Sequence, residues 1–70
     1  MNRITNWYKI RIIISESKID DPYVWCIENI DQAQQIWTYD YIGHPIDDFF
    51  RYDYFFENDN DALLFRLTWE

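Results

Sequence analysis

Cys26 and His44 are the one cysteine and the one histidine among 70 residues, and a thiol within reach of an imidazole is the pairing that makes a protein nucleophile. Asp47 or Asp48, just beyond His44, has the chemistry to orient the ring. Yet Cys26 shares a helical spacing with Tyr23 and Ile30, an apolar stripe on which a small buried thiol is the commoner occupant. His44 stands between Gly43 and Pro45, a turn setting that leaves it exposed. The adjacent carboxylates Asp47 and Asp48 suit general acid–base work, but a domain this small has little room for a substrate cleft. Metal chemistry fares no better. Asp59-Asn60-Asp61 has the start of a calcium loop without its turn glycine, and helix capping explains the cluster more simply. Zinc needs several Cys or His ligands, and a phosphate loop needs more glycine than the single Gly43. The expectation is a protein that is not an enzyme and carries no cofactor or metal.

The charges say more. The net charge is −7 and the pI is near 4.3, which argues against direct binding to nucleic acid or to anionic lipid, since both demand clustered Lys and Arg. No Lys or Arg occurs between Lys18 and Arg51, whereas Asp20, Asp21, Glu28, Asp31, Asp40, Asp47 and Asp48 fall in that interval. A solvated acidic surface explains such a run, and so does a surface that steers a basic partner. A lone cysteine permits no intramolecular disulfide and suits a reducing compartment. The Ile-rich run near the N-terminus is broken by Lys9 and Arg11 and is too short for a signal or membrane segment, so the expected setting is cytosolic.

These residues need elements to place them. Residues 7–14 alternate Tyr8, Ile10, Ile12 and Ile14 against Trp7, Lys9, Arg11 and Ile13, the period of two of a half-buried strand. Asp21-Pro22 reads as a helix start, with Asp21 the N-cap; Tyr23, Cys26, Ile27 and Ile30 follow at helical spacing, and the end falls near Asn29, a residue that tolerates a left-handed C-cap. The run Val24-Trp25-Cys26-Ile27 also fits a buried strand. Residues 36–42 alternate again, with Trp37, Tyr39 and Tyr41 inward, until Gly43-His44-Pro45 breaks the strand before a loop through Ile46, Asp47 and Asp48. Residues 49–57 form an aromatic strand with Phe50, Tyr52, Tyr54 and Phe56 on one face and Arg51, Asp53 and Glu57 on the other. Asn58 or Asp59 then caps a short apolar helix ending at Trp69.

The expected fold is α+β: a single small β-α-β-β-α domain over residues 1–70, with a three-stranded sheet and two helices on one face, similar to a ferredoxin-like fold lacking its last strand. The sequence leaves the order of the strands open; if the third lies between the other two, antiparallel to both, the bare face shows Lys9 and Arg11, Arg51 and Asp53, and Thr38 and Asp40, with Ile13, Phe49 and Phe55 among them. Cross-strand ion pairs explain that pattern, and so does a partner-binding face. Fifteen aromatic residues exceed what two layers of this size hide, so some aromatic surface stays exposed.

Two segments, Trp25-Cys26-Ile27-Glu28-Asn29 and the run from Phe55 through Asp61-Ala62-Leu63-Leu64-Phe65-Arg66-Leu67-Thr68-Trp69, resemble a loose group of short tailed-phage proteins. Members have a Trp-Cys-x-Glu-Asn helix end and a closing Asp-Ala-x-x-Phe-basic-Leu-x-aromatic helix. They usually have glycine after the helix-end Asn, where this chain has Ile30, and after the last aromatic, where it has Glu70. The resemblance implies a phage-encoded accessory protein acting in the cytoplasm of a bacterial host, and it carries no catalytic residue across. The leading expectation is a non-enzymatic protein that binds and inhibits or redirects a bacterial host protein, a defence system among the candidates, through Asp40, Asp47, Asp48, Arg51 and Asp53. The alternatives are an acidic nucleic-acid mimic that fills the groove of a DNA- or RNA-binding host protein, and a homodimer or assembly module built on exposed aromatic or strand-edge surface.

Overall fold

In the computed structural model, which describes residues 6–69, alternation becomes sheet where it was strongest. Strand β1 spans Tyr8–Ser15 and a 3-10 turn follows over Glu16–Lys18. Helix α1 is Asp21–Asn29, β2 is Trp37–Ile46, β3 is Phe49–Phe56 and α2 is Asp59–Trp69. The sheet order is β1-β3-β2, with β3 antiparallel to both neighbours, so the fold is the expected α+β arrangement of three strands and two helices. Expectations about residues 1–5 lie outside the described residues.

The strands bury one face. Ile10 and Ile12 of β1, Trp37 of β2 and Tyr54 and Phe56 of β3 join Cys26 of α1 and Ala62 and Phe65 of α2 in a single core. Rings supply most of that core. Phe65 stacks on Tyr54 with centroids 4.7 Å apart and meets Phe56 at 5.0 Å, while Trp37 stacks on Tyr54 at 6.2 Å. Ala62 is small enough to let α2 lie close to the sheet.

Three local features depart from expectation. The first is the N-cap of α1, which is Asp20 and not Asp21: the Val24 amide donates to the Asp20 carbonyl at 3.0 Å, and no side chain caps. The second is the end of α1, which falls at Asn29 as expected but without a left-handed residue, since Ile30 stays right-handed at φ −111. The third is Gly43-His44-Pro45, which does not end β2. The strand runs on to Ile46, with irregularities of register between Tyr41 and Gly43 and again before Ile46. An outer strand tolerates both, because proline's missing N–H can face solvent and a bulge absorbs the extra residue. The turn is therefore only Asp47 and Asp48, with Asp48 left-handed at φ 69.

Candidate functional site

On the face of the sheet away from the helices, register sets Arg11 opposite Asp53 and Asp53 opposite Asp40. Arg11 donates through Nε and Nη2 to the two Asp53 oxygens at 2.7 and 3.0 Å. A planar guanidinium matches both carboxylate oxygens at once, which makes the pair geometrically specific. With strands on both sides and Arg11 laid across it, Asp53 is only 4% exposed although no helix covers this face. The bond from Arg11 is the main cause holding the Asp53 carboxyl below its ordinary pKa, with Lys9 and Arg51 adding to it. Arg51 lies between Ile13 and Gly43, and Asp40 is exposed on β2. Asp40, Arg51 and Asp53 thus share one face. Asp47 and Asp48 lie elsewhere, at the hairpin tip.

At that tip the chain gathers acids from segments far apart in sequence. The Glu16 amide donates to the Asp48 carbonyl at 2.8 Å, tying the start of the 3-10 turn to the hairpin. The same turn leads to Asp20, which lines a cleft of about 140 Å³ with Ile19, Tyr23, Tyr39, Tyr52 and Tyr54. The tyrosines form a continuous ladder: Tyr23 meets Tyr39 edge-on at 5.5 Å, Tyr39 meets Tyr52 at 6.0 Å, and Tyr52 meets Tyr41 at 5.5 Å. Phe50 continues it to Tyr41 at 6.0 Å and to the His44 ring at 4.9 Å. Beyond the reach of the helices the ladder is open to water, with Tyr39 and Tyr41 exposed. Burial first, then the neighbouring tyrosines and Asp20, raises the pKa of Tyr52, and burial does the same more strongly to Tyr54.

The opposite end of the cleft wall is fixed by Asp31. Its carboxylate accepts from the Gln35 amide at 2.7 Å and the Ala33 amide at 3.2 Å, and the Gln35 bond leads the causes that lower its pKa. The Asp31 carbonyl accepts from the Trp37 indole at 2.7 Å, and Gln34, left-handed at φ 58, donates from its side chain to the Tyr23 hydroxyl at 2.7 Å. Asp31 therefore anchors residues 31–37, of which 31–35 read in sequence only as polar.

Cys26 and His44 are not brought together. Cys26 is in the core, where burial chiefly, with a smaller contribution from Asp61, pushes its thiol up to about 12; His44 lies on β2 against Phe50. A thiol so disposed is inert at neutral pH. Among the described residues no group of three or more Cys, His, Asp or Glu is arranged to hold a metal, and no helix is long and apolar enough to cross a membrane. No family model matches the chain, and neither a curated protein nor a solved structure matches it significantly.

The tyrosine cleft is the feature that sequence reasoning missed. It needs Asp20, at the mouth of α1, to sit against β2 and β3, and no spacing along the chain encodes that. The one available signal was the alternation of Tyr39, Tyr41, Tyr52 and Tyr54, which put more rings on one sheet face than two short helices can cover.

Proposed function

We propose that this chain is a phage-encoded, non-enzymatic protein that binds a bacterial host protein and inhibits or redirects it, gripping a basic segment of that partner at its acidic, tyrosine-rich end. The observation that carries the reading is the open ladder Tyr39, Tyr41 and Tyr52 with Asp20 in its cleft and Asp47, Asp48 and Glu16 at the neighbouring tip. Tyrosine gives large contact area with little conformational freedom to lose, and the acids give the encounter its direction. Lys or Arg side chains are the natural counterparts, since both are drawn to aromatic rings and to carboxylates. The resemblance of the Trp25–Asn29 and Phe55–Trp69 segments to tailed-phage proteins supplies the phage and host terms of this reading. On the other sheet face, Asp40 and Arg51 frame the Arg11–Asp53 pair and form a second, flatter candidate surface.

The test is capture from bacterial lysate with the tagged protein and with two variants: Asp20→Lys/Asp47→Lys/Asp48→Lys at the tip, and Asp40→Lys/Arg51→Glu on the bare face. A stoichiometric host protein retained by the wild type and by the bare-face variant, and lost by the tip variant, is the expected result. Retention by the tip variant, or no host protein at all, overturns the assignment. Release of the captured protein by added DNA identifies the partner as a nucleic-acid-binding protein whose groove the acids occupy.

A further inference from the structure

The register of β1 makes its outer edge self-complementary, and we infer that a second copy of this chain pairs with it antiparallel, the two-fold axis passing at Ile12, to give a continuous six-stranded sheet.

The hydrogen bonding fixes which groups are available. In β1 and β3 each pair of opposite residues keeps the same register from Tyr8 with Phe56 to Ser15 with Phe49, and the Glu16 amide continues it by bonding to the Asp48 carbonyl. Bonded and non-bonded pairs alternate along an antiparallel ladder. Ile10, Ile12 and Ile14 therefore bond to β3, and the amides and carbonyls of Lys9, Arg11, Ile13 and Ser15 point to the outer edge, which no other described strand covers. The two edges of the sheet differ. Strand β2 is guarded by Pro45 and by its register irregularities, devices that block pairing. Strand β1 has neither proline nor irregularity over eight residues.

Charge selects the register. With the axis at Ile12, Arg11 stands opposite Ile13 of the second copy, Ile10 opposite Ile14, Lys9 opposite Ser15, and Tyr8 opposite Glu16, whose carboxylate accepts from the phenol. Every one of these relations occurs twice by symmetry. An axis at Arg11 sets that guanidinium against its own copy, an axis at Ile10 sets Lys9 against Arg11, and an axis at Ile13 sets the apolar Ile10 against Glu16. Only at Ile12 is neither like charge set directly against like nor an isoleucine set against an acid.

Helix α2 fits the same arrangement. It rests on β1 and β3, so across a continuous sheet the two copies of α2 lie about two strand spacings, about 10 Å, apart, which is the packing distance of two helices. Its flank toward the edge carries Leu63 and Arg66, which line a groove of about 260 Å³ with Tyr8, Lys9, Ile10, Asp59 and Ala62. One turn along from Leu63, Leu67 is 76% exposed. Among the described residues of one copy nothing accounts for apolar side chains on that flank, and the second α2 does.

Sedimentation velocity between about 10 and 500 µM, together with amide exchange measured by NMR at both ends of that range, tests the inference. The expected result is a dimer in which the amides of Arg11, Ile13 and Ser15 become protected as concentration rises, while those of Ile10, Ile12 and Ile14 are protected throughout. Ile13→Lys, at a position 57% exposed, sets a cation against Arg11 of the other copy and weakens the dimer about tenfold; Ile13→Glu sets an anion there and stays within about threefold of the wild type. A protein monomeric over the whole range, a dimer whose odd-numbered β1 amides still exchange freely, or a dimer indifferent to Ile13→Lys overturns it.

Discussion

The bidentate pair between Arg11 and Asp53 makes the bare sheet face pH-sensitive in one direction. Because the folded-state pKa of Asp53 is depressed, mainly by the bond from Arg11, the stability the pair confers is complete above the ordinary carboxylate value of about 3.9 and is lost as pH falls through the depressed one. Asp53→Asn is therefore expected to unfold more readily than the wild type at pH 7. The gap should close as the medium is acidified below about pH 4, and chemical denaturation at a series of pH values measures it. Arg11 is half exposed, so salt weakens this effect without removing it. Two tryptophans offer a contrast at the same scale. The Trp37 indole donates to the Asp31 carbonyl, whereas the buried Trp69 indole N–H has no acceptor among the described residues. Trp37→Phe is expected to cost about 1 kcal/mol more than Trp69→Phe, read from paired urea melts.

At the scale of elements, the strands and their faces were legible because a period of two leaves one assignment of faces, and a buried row such as Ile10, Ile12, Ile14 tolerates no slip; their order was not, since alternation says nothing of which strand lies in the middle. The same parity put Arg11 and Asp53 on one face before any coordinate was known. What misled was Gly43-His44-Pro45, whose turn chemistry is real but is overridden by position: on an outer strand the missing proline donor faces water. The loop after α1 was illegible for the opposite reason, since its order comes from one carboxylate, Asp31, accepting from two later amides. Consequences for substitution follow. Gly43 has a negative φ and open space where a Cβ would go, so Gly43→Ala is expected to be neutral or slightly stabilising. Asp48 is the residue held left-handed, and Asp48→Gly is expected to raise stability by about 1 kcal/mol. Thermal melts of the two variants separate a glycine that shapes a turn from one that merely precedes it.

Across the whole molecule, 13 acidic against 6 basic residues act in opposite senses on the two interactions proposed. Added salt screens attraction to a basic partner and also screens repulsion between two copies of an acidic chain. Raising ionic strength from about 0.05 to 0.5 M should therefore weaken capture of a basic host protein while tightening the dimer, and sedimentation and binding titrations run in the same buffers check both signs. The candidate site was only half visible in the sequence because acids and tyrosines show in composition while the joining of Glu16 to Asp48, and of Asp20 to the ladder, is a property of the closed chain. The position of β3 has one more effect, on biosynthesis. Among the described strands both β1 and β2 bond only to β3, and β3 is made about forty residues after β1, roughly 2 to 8 s later at ordinary translation rates. Throughout that interval the isoleucine strand has no partner strand among the described residues already made. Folding must wait for the central strand to emerge, and until then the nascent chain displays Ile10, Ile12, Ile13 and Ile14 to whatever chaperone is near.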